Sequence, residues 1–196
     1  MKPIDPKEVM SLADYEAVRE HFRARVIGEK KRRRVALGPK ATALFENRDT
    51  VLLQIQEMLR TERITRPASV MHEIETYNET LPKDDELSCT LMIEIADKTE
   101  RDAFLHAAVG FEEKVSLVVA GTRVPAQALE RPGELSDRTT AVHYLKFKLP
   151  ADVAQSLRSE GAPATAIALE VVHPAYAVSA PLAAATVEEL REDLRS

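Results

Sequence analysis

The residues best suited to recognition or catalysis are concentrated between positions 45 and 63 of this 196-residue chain. A carboxylate, an amide and a guanidinium follow one another as Glu46, Asn47 and Arg48. A glutamate and an arginine three residues apart can orient a substrate carboxylate or phosphate, because the planar guanidinium forms paired hydrogen bonds with such anions. No motif with a catalytic mechanism of its own includes these residues. The same polar groups recur further along, at Gln54, Gln56, Glu57, Arg60 and Arg63.

A helix beginning near Asn47 is needed to position these groups. Asn47 is a favourable N-cap, and the apolar residues that follow recur at helical spacing. The pattern predicts that this apolar face is buried and that an elaborate polar flank is left for recognition. Local pairing of Arg60 with Gln56 or Glu57 is an alternative explanation of the flank. The apolar face consists of Val51, Leu52, Ile55, Met58 and Leu59.

Two further helices are predicted on either side of this one. Ser11 is predicted to cap the first helix and Gly28 to end it. Pro67 precedes a shorter helix whose apolar stripe includes Ile74 and Tyr77. The chain has no paired Glu-x-x-His set here, with which helical di-iron sites are built, so no metal site is predicted in this region. The apolar stripe of the first helix consists of Tyr15, Val18, Phe22 and Val26.

A run of five cations follows Gly28. Residues 1–66 hold 15 Lys and Arg against 10 Asp and Glu, whereas the remainder holds 12 against 22. The run could bind the phosphates of a nucleic acid. The favoured alternative is a loop or strand edge that faces the acidic remainder, because no aromatic residues interleave the charges as in single-strand binding. A nucleic-acid partner is therefore not expected. The cations are Lys30, Lys31, Arg32, Arg33 and Arg34.

The second half of the chain alternates between strand and helix patterns. Period-two alternation predicts strands at residues 87–95, 115–120, 141–149 and 166–172, with helices beginning near Asp97 and Pro150. This β-α-β-β-α-β order is that of a ferredoxin-like domain, whose first and third strands are central and parallel. The fold class is therefore predicted to be α+β, with an N-terminal helical region packed on a ferredoxin-like βαββαβ sheet that is antiparallel or mixed.

The last segment is predicted to be an extended tail that ends in a short helix. Thr186 and Glu189 form a capping box, and apolar residues follow at helical spacing. A helix this short is marginal alone in water, so it is expected to dock on its own chain or on a partner. The predicted organisation is a helical and basic region (1–84), a sheet domain (85–175) and this tail (176–196), together forming one compact unit.

Two histidines and one cysteine are the remaining residues with chemical potential. His143 and His173 share strand parity with apolar neighbours, so one apolar face could hold both as ligands or as a proton-transfer pair. The favoured alternative is a structural role, and the two histidines are only weak candidates for metal ligands. Cys89 lies mid-strand on an apolar face and is predicted to be a buried, inert thiol. No cofactor is predicted.

Composition restricts the class of protein and its compartment. The hydrophobic content of 44% is sufficient for a core. A single cysteine excludes an internal disulfide framework. The longest apolar runs fall far short of the roughly 20 residues that span a bilayer, and the N-terminus has no signal-peptide features. These observations predict a cytoplasmic protein with no membrane partner.

Several strings resemble those of one protein family. They are FENR (45–48), QIQEM (54–58), RTER (60–63) and LMIEI (91–95), together with Tyr77 and Asn78. On these strings the chain resembles an uncharacterised prokaryotic family, domain of unknown function 3501, from Tyr15 to about Tyr176. The resemblance brings Tyr77 and Asn78 into the candidate binding set and carries over no catalytic role. Members of that family are often encoded near rubrerythrins and iron–sulfur proteins related to heterodisulfide reductase, which implies a link to peroxide or redox handling.

Three functions follow as hypotheses. The first is a non-catalytic binding or accessory protein, with a component of a redox system as its partner and with homodimer formation as a possibility. The second is an enzyme or metalloprotein that uses either the His143/His173 face or a polar cluster. The third is nucleic-acid binding through the basic N-terminal third. The absence of nucleophile, phosphate-loop and metal motifs favours the first. The polar cluster of the second hypothesis consists of Glu46, Gln54, Glu57 and Arg60.

Overall fold

The computed structural model describes residues 1–129, 137–159 and 163–195. Within these ranges the helices are α1 (Leu12–Arg33), α2 (Arg48–Thr61), α3 (Pro67–Asn78), α4 (Lys98–Ala107), α5 (Ala151–Arg158) and α6 (Ala184–Arg195). The strands are β1 (Arg34–Leu37), β2 (Ala41–Phe45), β3 (Glu86–Ile93), β4 (Val115–Val119), β5 (Thr122–Pro125), β6 (Gln127–Ala128), β7 (Val142–Lys148), β8 (Ile167–His173) and β9 (Tyr176–Pro181). None of the helices in the described ranges is long and apolar enough to cross a membrane.

The strands form two antiparallel sheets. The first has the order β1-β2-β3-β7-β6 and the second the order β5-β4-β8-β9. In the first sheet Cys89 of β3 lies between Phe45 of β2 and Leu145 of β7. In the second sheet Leu117 of β4 lies opposite Leu169 of β8. The α+β class is therefore confirmed, as are the four strands that period-two alternation predicted.

The ferredoxin-like arrangement of those four strands is wrong. That topology makes the first and third predicted strands parallel neighbours, but β3 and β7 pair antiparallel. The other two predicted strands, β4 and β8, pair with each other in a second sheet. The reason lies in strands that the periodicity did not indicate. The hairpin of β1 and β2 occupies the other edge of β3, and β5 and β9 flank β4 and β8.

Both sheets contribute apolar side chains to one core. The first sheet contributes Leu91 and Phe147, and the second contributes Leu117 and Leu169, all fully buried. The rings of Phe45 and Phe147 lie 6.4 Å apart within this core. Aligned or crossed sheets pack in this way when alternate side chains of each strand point inward. The apolar side chains that the alternation assigned to one face of a single sheet therefore belong to two sheets, which share this core.

The first three helices form a separate layer with its own apolar contacts. Val51 and Ile55 of α2 pack with Ile74 of α3, and Tyr15 of α1 packs near Leu53 of α2. The predicted N-cap of α2 is confirmed, because the Asn47 side chain accepts a hydrogen bond from the Thr50 amide. Val18 is the exception to the predicted stripe of α1, since its side chain is 43% exposed.

Gly28 does not end α1, contrary to prediction. The helix continues through the basic run to Arg33, and only Arg34 belongs to a strand. A glycine weakens a helix without breaking it. Cations in the last turn are stabilised by the negative end of the helix dipole, and Arg33 is tied down by the carboxylates of α6 and Glu29. Tertiary ion pairing therefore outweighs the local stop signal.

The C-terminal segment docks on its own chain. Val187 and Leu190 of α6 are buried in the main core, as the apolar stripe predicted. The segment differs from prediction in two ways. Residues of β9 pair with β8 and so are part of a sheet. The capping box at Thr186 is wrong, because α6 begins at Ala184 and the Thr186 side chain is buried within the helix.

Candidate functional site

A large cleft opens at the N-terminal end of α2. Its volume is about 1050 Å³. The walls come from four parts of the chain that are distant in sequence: the first eight residues, the start of α2, the turn before β3, and α6. The lining residues are Met1, Lys2, Pro3, Glu8, Asn47, Arg48, Asp49, Asp84 and Asp193. The cleft therefore includes two of the predicted binding residues, Asn47 and Arg48.

Arg48 fastens the N-terminal segment across one side of the cleft. Its Nε donates to the Lys2 carbonyl at 2.9 Å, and its Nη2 donates to the Pro3 carbonyl at 3.1 Å. Nη2 also donates to Glu8 Oε1 at 2.5 Å. The hydrogen bond from Arg48, together with the Asp5 amide, lowers the pKa of Glu8 to about 2. The terminal amine of Met1 donates to the Pro82 carbonyl at 3.1 Å, which ties the other end of the segment.

A buried polar network lies behind the cleft. The Glu46 carboxylate is only 3% exposed and accepts hydrogen bonds from the hydroxyls of Thr50 and Thr90. Asn47 donates from Nδ2 to Glu29 at 2.7 Å while its oxygen caps α2. Glu46 is therefore not accessible to a ligand in the cleft. It instead connects the start of α2 to β3 from within.

Arg33 is the second support of the cleft wall. Its guanidinium is 2% exposed and makes a two-fold contact with Asp193, at 2.6 and 2.8 Å, and a further contact with Glu189 at 3.0 Å. Burial lowers the pKa of Arg33, but these carboxylates raise it by more. Burial raises the pKa of Asp193, and the Arg33 guanidinium opposes that shift. The pair fixes the Asp193 carboxylate at the margin of the cleft.

The chain matches one protein-family model over nearly its whole length. The family model described as "Protein of unknown function (DUF3501)" matches residues 3–194. The chain belongs to this family. The match extends beyond the part that the resemblance covered and includes the N-terminal segment and α6, both of which line the cleft.

A solved structure supports the same assignment. It is the 1.90 Å crystal structure of a novel protein of unknown function from Burkholderia pseudomallei K96243, and it is similar to this chain with a TM-score of 0.89 and 34% sequence identity. The similarity covers 98% of this chain and 100% of that one. No curated protein matches the chain. The fold is therefore shared over the full length of another protein whose function is also unknown.

In this member of the family, the polar flank predicted for α2 faces α1 and the N-terminal segment. Glu57 accepts hydrogen bonds from the Tyr15 hydroxyl at 2.5 Å and from Arg19 at 2.8 and 2.9 Å. The contact with Arg19 is the main cause that lowers the pKa of Glu57. Burial, followed by the bond to Glu57, raises the pKa of Tyr15. The local pairing of Glu57 with Arg60, which was the alternative, is not observed.

The remaining candidate binding residues, on α2 and after it, do not form one cluster. Gln56 is buried, and its side chain bonds both the amide and the carbonyl of Met10, at 2.7 and 3.4 Å. Arg60 pairs with Glu16 at 2.6 Å. Asn78 bonds the backbone of Ile4 at 2.8 and 3.1 Å. The structure thus uses these side chains to hold the helices and the N-terminal segment together. The others are Gln54, half-buried, Tyr77, buried, and Arg63, exposed with a positive φ of 53°.

The basic run is divided between the protein interior and the surface. Arg33 is buried as described, Arg32 pairs with Glu189, and Arg34 lies 3.9 Å from Glu94. Three of the five cations therefore meet carboxylates from the acidic part of the chain. This agrees with the alternative in which the run faces that part. Lys30 is half-buried and Lys31 is exposed.

The two histidines lie in different sheets, but both contact the same aromatic ring. The ring of Phe111 is 6.3 Å from that of His143 and 6.0 Å from that of His173. His173 accepts at Nδ1 from the Ala175 amide and donates from Nε2 to the Val109 carbonyl. These bonds satisfy both nitrogens of a neutral imidazole. His173 is thus a structural histidine, as the favoured alternative had it.

His143 belongs to a small polar group beside a cavity of about 60 Å³. Its Nε2 lies 3.2 Å from the Thr139 hydroxyl, and its Nδ1 lies 3.7 Å from Glu112. The same hydroxyl donates to Glu112 at 3.3 Å. The Thr139 hydroxyl thus links the imidazole to the carboxylate. Within the described ranges, no group of three or more His, Cys, Asp and Glu residues is arranged to hold a metal ion.

Cys89 has the properties that the sequence predicted, whereas several charged residues of the cleft were not predicted. Cys89 is buried, and burial raises the pKa of its thiol, as expected of an inert cysteine. Sequence reasoning missed Glu8, Asp84 and Asp193 as cleft residues. All three lie near the cleft only because the chain folds, so no local pattern marks them. Glu29 is not part of the cleft lining, but its pairing with Arg33, four residues later in the same helix, had a local signal.

Proposed function

We propose that this protein is a non-catalytic binding protein that holds a polar segment of a partner protein in the cleft at the start of α2. The observation that carries this proposal is the cleft itself. Its volume of about 1050 Å³ is slightly above the roughly 300–1,000 Å³ typical of small-molecule sites. An extended peptide is a better match for such a volume than a single metabolite.

The walls of the cleft support binding because they are held in place before a ligand arrives. Arg48 fixes the N-terminal segment, and Arg33 fixes Asp193. Pre-organised walls reduce the entropy that binding would otherwise cost. The lining carries both signs of charge, because it includes the cations Lys2 and Arg48 as well as the carboxylates of Glu8, Asp49, Asp84 and Asp193. A partner segment that also carries both charges would be complementary to this surface.

The charge states of Glu8 and Arg48 favour a role for the cleft in recognition over one in acid–base catalysis. The contact with Arg48 lowers the pKa of Glu8 to about 2. A carboxylate with so low a pKa stays ionised near neutral pH and is a poor proton donor or acceptor there. Arg48, with its raised pKa, stays charged as well. The groups are thus permanent charges, which suit the orientation of a ligand.

The resemblance to the family suggests which partner to test. It implies a link to rubrerythrin-type redox systems, and an accessory role in such a system is our proposal for the partner. In that role the redox chemistry belongs to the partner, and this chain supplies a docking site for it.

The proposal is tested by affinity capture from host cells exposed to peroxide, with Asp84→Lys as the cleft variant. Asp84 is exposed at the cleft, so reversing its charge leaves the fold intact and opposes the partner's cation. Glu75→Lys is the matched control, since Glu75 is exposed on α3 and makes the same charge change away from the cleft. We expect the wild type and the control to retain a rubrerythrin-type or iron–sulfur protein, with recovery falling roughly tenfold in Asp84→Lys.

Two results would contradict the proposal in different ways. Equal recovery by Asp84→Lys and wild type would show that the cleft is not the binding site. Recovery of a cleft-dependent partner without any redox protein would leave the cleft as the site but exclude the redox system.

A further inference from the structure

The face of α1 that points away from α2 carries a regular pattern that the cleft does not use. Its residues are separated alternately by four and three positions, which is the spacing of the contact positions in coiled coils. All six are exposed, and Ile27 among them is 41% exposed. Every face of an α-helix repeats at this spacing, but this one is unusual because four of its six exposed residues are alanine or isoleucine. The six residues, here called the outer face of α1, are Ala13, Ala17, Glu20, Ala24, Ile27 and Lys31.

Gly28, beside the outer face, has no explanation within its own chain. Glycine is among the least favourable residues in a helix interior, yet α1 continues for five residues beyond it. A Cβ atom added at Gly28 would meet nothing within 4 Å. The fold of one chain therefore does not require a glycine there. A second helix whose backbone approaches closely does require a small residue, and Ala24 lies one turn away on the same side.

The charges of the outer face are complementary to a second copy of the same face. Glu20 and Lys31 are exposed, and neither takes part in an ion pair with the residues that the structure describes. If two α1 helices run antiparallel, with Glu20 opposite Lys31 of the second copy, then Lys31 lies opposite Glu20 as well. The same register places Ala24 opposite Ile27 of the second copy. One twofold axis thus produces two ion pairs around a small, apolar centre.

We propose that two copies of this chain associate through the outer faces of α1, packed antiparallel about an axis between Ala24 and Ile27. The parallel alternative is disfavoured, because it would place Glu20 against Glu20 and Lys31 against Lys31. Small side chains at the centre allow the helices to approach closely. The surface lies apart from the cleft of α2, so the dimer does not depend on the proposed function.

The charge pattern makes a direct test possible by sedimentation equilibrium of the full chain. Glu20→Lys and Lys31→Glu each replace two attractive pairs by two repulsive ones. Each variant alone is expected to raise the dissociation constant of the dimer on the order of tenfold or more. The double variant Glu20→Lys/Lys31→Glu restores both pairs with their signs exchanged, and its dissociation constant is expected to return to within about threefold of wild type.

Mixing the two single variants tests the ion pairs themselves. Antiparallel packing is distinguished from parallel packing by the single variants, because in a parallel dimer either substitution leaves like charges at both contacts, as in the wild type. A heterodimer of Glu20→Lys with Lys31→Glu has opposite charges at both antiparallel contacts, so the mixture is expected to associate more tightly than either variant alone. Circular dichroism of each variant provides the control for helix content. A monomeric wild type at all concentrations would overturn the proposal. So would a dimer whose strength is the same in both single variants and the double variant.

Gly28→Gln tests the close approach independently of charge. Because a Cβ at this position meets open space in one chain, the substitution is expected to raise the thermal midpoint of the monomer through better helix propensity. The same side chain would separate the two helices, so the dissociation constant is expected to rise on the order of tenfold. An unchanged dimer in Gly28→Gln would contradict packing at this face.

Discussion

The flank and the beginning of α2 differ in how their polar groups are used. Along the flank, Gln56, Glu57 and Arg60 are each engaged by α1 or the N-terminal segment. At the beginning of the helix, Asn47 and Arg48 also make such contacts, but both in addition line an open cleft. The two regions have similar composition in the sequence. Polar density on a helix therefore indicates an internal contact as readily as a binding surface, and only the neighbouring helix decides which.

A second difference concerns burial. The flank pairs are partly exposed, with 27% of the Glu57 side chain accessible, whereas Arg33 behind the cleft is 2% exposed. Ion pairs near the surface are weakened by water and salt. Breaking a buried pair is more costly because the remaining charge is left without a partner. The support of the cleft should therefore be more sensitive to mutation than the flank.

The largest effect is expected for Arg33→Ala. The substitution removes the buried guanidinium that pairs with Asp193 and Glu189 of α6, whose side chains are only 7% and 12% exposed. We expect the free energy of unfolding to fall by about 3–5 kcal/mol, measured by urea denaturation at neutral pH. Arg34→Ala is the matched control, because its guanidinium is about half exposed and lies 3.9 Å from Glu94, and it should cost less than about 1 kcal/mol. Equal losses in the two variants would refute the comparison between buried and exposed pairs.

A smaller effect is expected for Glu57→Gln on the flank. The amide retains the shape of the side chain but weakens the bonds to Tyr15 and Arg19. The expected loss of stability is about 1.5–3 kcal/mol, the range for hydrogen bonds to charged groups. Glu75→Gln, at an exposed position of α3, should change stability by less than about 0.5 kcal/mol. Capture of the partner should be unaffected by Glu57→Gln; a loss of capture without loss of stability would make the flank a binding surface after all.

The smallest effect concerns pH and the N-terminal segment. The pKa of Glu8 is lowered from 4.5 to about 2, chiefly by the hydrogen bond from Arg48. A lowered pKa means that the pair stabilises the folded state above the ordinary value and that this contribution is lost as the pH falls towards about 2. Because the pair is exposed, its contribution is at most about 1 kcal/mol. Glu8→Gln should therefore remove part of the loss of stability between pH 4.5 and 2. Parallel pH profiles for the variant and wild type would show that the pair contributes nothing.

Several elements could be predicted because their signals are local. The cap at Asn47, the strand alternation at residues 87–95 and the apolar stripe of α6 were all found where the sequence placed them. The predictions at Gly28 and Thr186 failed although they relied on local signals of the same kind. A stop or cap signal is worth about 1 kcal/mol, which contacts with a neighbouring element can exceed.

The candidate site was predictable only in part. Asn47 and Arg48 were identified because their types are informative in themselves. Glu8, Asp84 and Asp193 were not, because a single acidic residue in a loop or helix resembles any other solvated charge. Their importance arises from proximity across more than a hundred positions of the chain.

The sequence by itself determined the α+β class, the existence of the six α-helices and of four of the nine strands in the described residues, and the family to which the chain belongs. It did so because the period of apolar residues and the capping residues act over a few positions. Only the tertiary structure decided how the strands divide into two sheets, which polar groups became internal contacts, and where the cleft opens. Each of those depends on which distant segments meet, and the free energy of such meetings is spread over many small contacts that no local pattern records.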